Sequence, residues 1–325
     1  MRIGILGAAR IAPRALVDPG REMDEVEVYA VASRDPARAE AFSHEHGVPR
    51  VFSSYEELCA SSEVDAVYNA LPISLHCEWT LRALASGKPV LCEKALASNA
   101  MEAERMAEAA SEAGVLLMEA FHWRYHPMAQ RMVEVIQSGQ IGRVKKLRSH
   151  FNVEIQNPEN IRLNYEMGGG ATMDLGCYPL HMIRHILGEE PTVVSANAET
   201  GPPDVDVELH AQLLFPSGAE ADISCSMKRG VAFSMELEAE GDRGHLHATN
   251  PLAPQMGNRL EIKAGEETEV MSVEGASTYF YQLRAFANAV KTGADVPTGA
   301  QDAVLNMKAL DAIYQAAGLK VRGLD

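Results

Sequence analysis

Arg2-Ile-Gly-Ile-Leu-Gly-Ala-Ala-Arg-Ile-Ala12 is the stretch from which the fold can be read. Residues 3–6 form a short apolar, strand-like run that enters a glycine turn and then helix-forming sequence. This is the order of the G-x-G-x-x-G dinucleotide fingerprint, with Gly7 kept and Ala9 and Ala12 at its second and third glycine positions. The middle glycine lets the backbone approach a pyrophosphate. Ala9 costs one methyl group of clearance there but keeps the amides that bind an anion at a helix N-terminus. Gly7, Ala8, Ala9, Arg10 and Ile11 are therefore candidate cofactor contacts.

The next strand, 26–32, runs into Ser33-Arg34, where cofactor choice is made. A carboxylate at this point would accept a hydrogen bond from a ribose 2′-hydroxyl, whereas a small Ser followed by Arg leaves room for a 2′-phosphate and offers it a bidentate cation. NADP is accordingly expected, with NAD as the alternative. Arg38, one helical turn beyond Arg34, and Arg10 are further candidates for that phosphate, solvent-facing arginines being the plain alternative.

Outward from the fingerprint, 66–70, 89–92 and 115–118 read as further strands, and 36–46, 75–86 and 99–113 as helices. Such alternation gives a parallel sheet wrapped by crossover helices, a doubly wound Rossmann domain over residues 1–121. Beyond it the pattern changes. A helix over 128–138 precedes a long strand over 144–155, and 193–198, 205–215, 219–227, 233–240 and 260–264 follow as strands separated by turn signals such as Phe215-Pro-Ser-Gly218. Helices over 172–187, 279–292 and 301–317 cover one face. Residues 122–325 thus predict an α+β domain with a large, mostly antiparallel sheet, and Gly201-Pro-Pro203 and 251–257 read as loops.

Composition agrees with two folded domains: 325 residues, 46% hydrophobic and 23% charged. With 29 Lys plus Arg against 45 Asp plus Glu, the net charge of −16 repels polyanions, so no nucleic acid partner is expected. A local group of arginines still holds a small phosphate, because the nearest charges dominate within a Debye length. Cys59, Cys77, Cys92, Cys177 and Cys225 form no C-x-x-C pair, which predicts reduced thiols and a cytoplasmic location rather than a disulfide framework or zinc ribbon. Neither a signal peptide nor a membrane span is expected, since the strand-like run begins at Arg2 and no apolar run is long enough to cross a bilayer.

In an open parallel sheet, ligands bind beyond the carboxyl ends of the strands. Three segments occupy such places: Leu71-Pro72 with nearby His76, Glu93-Lys94, and 119–124. Lys94 brings an ammonium to the crevice, where it would orient a substrate hydroxyl or lower a neighbouring acid's pKa; a lysine reaching to water is the alternative. Farther along, Met167-Gly-Gly-Gly-Ala-Thr-Met-Asp-Leu-Gly-Cys-Tyr178 reads as a glycine turn feeding a helix. Asp174 and Tyr178, four apart, share one helical face that His181 continues. Individually, Asp174 is also explained as a first-turn charge complementing the helix dipole and Tyr178 as a core aromatic.

With the fingerprint, Glu93-Lys94, the glycine turn at 168–170 and Asp174-Leu-Gly-Cys-Tyr178 in this order, the chain resembles the glucose-fructose oxidoreductase and inositol dehydrogenase (Gfo/Idh/MocA) family over nearly its whole length. Met118-Glu-Ala-Phe-His-Trp-Arg-Tyr-His-Pro127 is similar to the branch holding dimeric dihydrodiol dehydrogenase and xylose dehydrogenases. The resemblance implies that Lys94 lies at the reaction centre, in a loop where Ala95 replaces the family's Pro and lowers rigidity, and that Asp174 and Tyr178 are the family's Asp-x-x-x-Tyr pair. It also implies NADP, a small-molecule substrate and a homodimer, or tetramer, formed through the second domain's sheet.

The implied reaction is hydride transfer between nicotinamide C4 and a hydroxyl-bearing carbon of a sugar, polyol or cyclic diol, or the matching carbonyl. Tyr178 takes or returns the hydroxyl proton, Lys94 assists, and Asp174 orients the substrate or Lys94. Free Tyr and Lys titrate near ~10 and ~10.4, so the phenol needs the ammonium to favour its phenolate. Trp123 and Arg124 are implied to hold the nicotinamide half, with packing as the alternative, and His181 and Tyr281 to line the substrate pocket. Two competing readings remain: a metal enzyme built on the four-residue spacings His122/His126 and His181/His185, which lack the Glu of H-E-x-x-H, and an NADP-binding sensor of the same fold without catalysis.

Overall fold

The computed structural model describes residues 1–201 and 204–324; Pro202 and Pro203 of the expected loop lie outside the described residues. The chain forms two compact units, Met1–His122 with Tyr279–Val304, and Trp123–Thr278 with Leu305–Asp325. Tyr279–Val304 returns to the first unit after the second has begun at Trp123.

The first unit holds six parallel strands: β1 (Arg2–Leu6), β2 (Glu27–Ala32), β3 (Arg50–Phe52), β4 (Ala66–Asn69), β5 (Val90–Cys92) and β6 (Leu117–Glu119). Their order, β3-β2-β1-β4-β5-β6, reverses direction between β1 and β4, which opens the crevice that a doubly wound sheet offers a dinucleotide. The central strands are buried along almost their whole length, as expected where helices cover both faces. Three helix starts follow side-chain caps. Asp35, Ser54 and Asn99 accept from the amides of Ala37, Glu57 and Glu102, and Gly47 and Gly114 close two helices in the left-handed conformation. The returning segment is stitched in where Met118 bridges Gly299 and where Thr298 exchanges two hydrogen bonds of 2.8 Å with the Glu119 backbone.

The second unit carries eight strands: β7 (Val144–Asn152), β8 (Thr192–Gly201), β9 (Val205–Leu214), β10 (Glu220–Ser226), β11 (Ser234–Gly241), β12 (Gly244–Thr249), β13 (Arg259–Ala264) and β14 (Glu267–Met271). They lie in the order β14-β13-β12-β11-β7-β10-β9-β8, antiparallel except for the β7/β10 pair. Alternation along the inner strands separates two faces. Leu147, Ile223, Leu237, Leu246 and Ile262 point to the core, while Lys146, Arg148, His150, Glu238, His245 and His247 point the other way. The segment 172–187 lies on the apolar face, where a Cβ at Gly176 would stand 3.0 Å from the Cys225 sulfur.

Candidate active site

In the first unit Gly7 adopts φ +92°, and a Cβ there would meet the Leu71 side chain at 3.0 Å, so conformation and space both call for glycine. Ala8, Ala9 and Ile11 are partly exposed and Arg10 is exposed, which leaves the turn open to a ligand. Arg38 reaches back to it, donating to the Ala8 carbonyl at 3.2 Å. At the end of β2, Ser33 is buried, Arg34 is exposed, and the Arg34 amide donates to the Tyr55 hydroxyl. The nearest carboxylate in sequence, Asp35, caps the next helix by accepting from Ala37. Arg38 is thus held against the glycine turn, and Arg34 follows the buried Ser33 at the end of β2 as an exposed cation. These residues fit a dinucleotide carrying a 2′-phosphate.

The loop after β5 is tightly tied. Glu93 accepts from the Tyr68 hydroxyl at 2.6 Å, and its amide donates to Asn69. Lys94 is partly exposed and joined to Ala95 by a cis peptide. His76 is buried and sits with one ring nitrogen 2.7 Å from the Leu71 carbonyl and the other 2.9 Å from that of Ala95, binding the two loops together. Burial, with a smaller push from Lys94, lowers its pKa. Leu96 donates its amide to Glu119 at 2.7 Å. Hydrogen bonds thus tie the loop on both sides of Ala95, at its own carbonyl and at the Leu96 amide. Leu71 is buried and packs at the glycine turn, and Pro72 is partly exposed beside it.

Around this loop the structure gathers groups that sequence reasoning did not single out. Tyr279 stacks on His122 at 4.1 Å between ring centroids and accepts from Arg14 at 3.5 Å. Burial first, then the nearby Glu93 charge, raises the Tyr279 pKa. Burial, reinforced by Arg14 and Lys94, holds His122 down at about 3, so its ring is neutral at working pH. Tyr279, rather than Tyr281, is thus the helix residue near Glu93 and Lys94. Two residues along an α-helix is more than half a turn, and Tyr281 lies with the Arg284 guanidinium against its ring. No sequence signal chooses between two such tyrosines without the helix orientation.

In the second unit, Asp174 sits in a π-helical turn, Thr172–Gly176, and Tyr178 one turn on in the helix Cys177–Leu187. Widened turns of this kind recur at functional sites. Arg162 grips the Asp174 carboxylate at 2.5 Å, and Phe151 meets the Tyr178 ring edge-on at 5.7 Å. Arg162 was legible only as a loop arginine.

His181 is fully buried and accepts from the Trp123 indole at 3.1 Å, while Arg124 donates to His185 at the same distance. Trp123 and Arg124, in the 3-10 turn His122–Tyr125, are thus hydrogen-bonded to His181 and His185 of the helix Cys177–Leu187. His122 and His126 do not share an α-helical face as the metal reading supposed: His122 lies in a short 3-10 turn, and His126 caps the helix Pro127–Gln137 through its ring.

Comparison with known proteins completes the picture. Residues 1–121 match the model of an oxidoreductase family with an NAD-binding Rossmann fold, and residues 129–247 match the GFO/IDH/MocA C-terminal domain. The chain belongs to the Gfo/Idh/MocA oxidoreductase family. It is 33% identical to D-xylose 1-dehydrogenase (NADP(+)) 2 of Haloferax volcanii, over 98% of this chain and 97% of the relative. It is 33% identical to trans-1,2-dihydrobenzene-1,2-diol dehydrogenase of Mus musculus over 71% of this chain and 70% of that one. A 3-ketoreductase from Actinomadura kijaniata, solved with NADP and TDP-benzene, superposes with a TM-score of 0.89 at 30% identity, covering 97% of each chain; variants of it altered at a single Lys or a single Tyr have also been solved. The Gfo/Idh/MocA chain described here is accordingly a nicotinamide-dependent oxidoreductase acting on CH–OH or carbonyl groups. Among its described residues no helix is long and apolar enough to cross a membrane, and all five cysteines are buried thiols.

Proposed function

We propose that this enzyme is an NADP-dependent dehydrogenase or reductase of a sugar, polyol or cyclic diol, with Lys94 and Tyr178 acting on one substrate hydroxyl or carbonyl. The observation that carries the reading is the Glu93–Lys94 loop, fixed by Tyr68, His76 and Glu119 at the carboxyl edge of the parallel sheet. Bound NADP would supply or accept the hydride. Tyr178 holds the hydroxyl proton, Lys94 favours the phenolate, and Asp174, gripped by Arg162, orients the group that reacts. The named substrates of the relatives, xylose, a dihydrodiol and a ketosugar, share a secondary alcohol or its ketone. That a Lys and a Tyr were the positions altered in the ketoreductase fits the pair chosen here.

Arg34, next after Ser33, and Arg38, held against the glycine turn, support NADP over NAD. A cytoplasmic location accords with five buried thiols. The polar face of the second unit's sheet holds a groove of about 470 Å³ lined by Arg148, His150, Gln212, Asp222 and Ser224 among others, and we assign this face to a homodimer contact. Arg148→Glu is expected to lower the sedimentation coefficient to that of a monomer; an unchanged coefficient rejects the assignment.

The reaction itself is tested by screening sugars, polyols and dihydrodiols, and the matching carbonyl compounds, for absorbance change at the nicotinamide band. Turnover that requires Lys94 and Tyr178 supports the reading. A sensor without catalysis would bind NADP and turn over none of these compounds.

A further inference from the structure

The far end of the chain is built into the turn that precedes Asp174. Asp206 is completely buried. One of its oxygens accepts the Thr172 amide at 2.6 Å, and the other accepts from Arg322 at 2.7 Å and from the Tyr314 hydroxyl at 3.1 Å. Arg322, only 2% exposed, donates its Nε to the Gly169 carbonyl at 3.0 Å and lies between the rings of Tyr165 and Tyr314, at 4.5 and 4.7 Å. The fit leaves no slack. Gly170 has φ +145°, and a Cβ there would stand 2.3 Å from Asp206 Oδ1 and 3.0 Å from Arg322 Nη2.

This turn reaches Asp174 twice. The Gly170 carbonyl accepts the Asp174 amide at 2.9 Å, and the Gly170 amide donates at 3.0 Å to the carbonyl of Arg162, whose guanidinium holds the Asp174 carboxylate. A fork from the chain's last residues therefore fixes both the backbone entry and the side-chain partner of Asp174, with Tyr178 one turn farther on. Stability alone does not account for the choice of charged groups, since a buried ion pair is often matched or exceeded by apolar packing of the same volume.

We propose that Arg322, together with Asp206, is a positioning residue for the reaction, acting through the glycine turn on Asp174 and Tyr178. The proposal rests on the assignment of those two residues to the reacting site and extends it to a part of the chain that touches neither. Loss of the fork lets the turn shift, and a displacement of about 1 Å at reacting groups costs roughly 10²-fold in rate.

The test uses the full-length protein with NADP(H) and the best substrate from the screen. Arg322→Ala is expected to lower kcat about 10²-fold while KM for the dinucleotide and its dissociation constant hold. Arg322→Lys, which restores a charge opposite Asp206 but not the fork to Gly169, recovers part of the loss, and millimolar guanidinium recovers part in Arg322→Ala. Leu246→Ala, a core truncation in β12, supplies a comparably destabilised control. Wild-type kcat in Arg322→Ala, or a fall no larger than in Leu246→Ala with no rescue, overturns the proposal. Tyr178→Phe in the same assay separates the two claims: if it loses turnover and Arg322→Ala does not, only the positioning role falls, and if it keeps turnover the site assignment falls and the positioning role with it.

Discussion

Replacing Arg34 by Ala should convert a preference for NADP into near indifference between NADP and NAD. In the structure Arg34 stands exposed at the end of β2, its amide anchored on Tyr55, while Arg38 already donates to Ala8 in the glycine turn. Arg34 is therefore the cation with more freedom to close on a 2′-phosphate, and Arg38 the one with less. A hydrogen bond to a charged group contributes about 1.5 to 3 kcal/mol, which corresponds to a loss of roughly ten- to 150-fold in kcat/KM for NADP. NAD, which lacks the phosphate, should change by less than about threefold. Two further features follow from the electrostatic origin. The preference should weaken with added salt, because the site is open to solvent, and it should weaken below a pH of about 6, where the phosphate takes up its second proton and loses charge. The assay is the ratio of kcat/KM for the two cofactors across salt and pH in wild type, Arg34→Ala and Arg38→Ala. A ratio that Arg34→Ala leaves unchanged, or that is greater at high salt, refutes the reasoning.

Gly170→Ala should destabilise the second unit by about 3 to 5 kcal/mol, because the new methyl would force apart the buried Asp206–Arg322 pair; urea unfolding measures it, and a loss below about 1 kcal/mol would contradict the packing described. His122 titrates at about 3 in the folded chain against an ordinary value of 6.5. As pH falls from 6.5 toward 3 the unfolded chain takes up a proton that the folded chain refuses, so stability from this group is present above 6.5 and is lost in between. The slope is up to about 1.4 kcal/mol per pH unit. His122→Asn should flatten the acid limb of a stability-versus-pH curve, and an unaltered slope would show that the ring is not held neutral.

The parallel sheet was legible because its signals are local. A period of two or of 3.6, a cap at Asp35 or Asn99 and a glycine at position 7 are each decided by neighbours a few residues away. Short or exposed strands escaped for the same reason. Arg50–Phe52 spans three residues, and the edge strand Glu267–Met271 buries too little to show alternation. Among the candidates, Ser33 and Arg34 could be chosen from their place at a strand end, whereas Lys94, Asp174 and Tyr178 were singled out by the family resemblance added to their places at a strand end and along one helical segment. Tyr279, Arg14, Arg162 and Arg322 could not. Arg14 meets Tyr279 across 265 residues of sequence and Arg322 meets Gly169 across 153, and which face of a returning helix points inward depends on packing that a single sequence does not encode locally. The Trp123 partner of His181 was likewise not legible, because helical spacing from Tyr178 takes no account of a residue 58 positions earlier.

Turnover and cofactor affinity measured side by side for Lys94→Ala and Tyr178→Phe test the central claim most directly. A drop of roughly 10²- to 10⁴-fold in kcat with the NADP dissociation constant within about twofold of wild type is the predicted result. Wild-type turnover in either variant would contradict the claim that these two side chains handle the proton that accompanies hydride transfer.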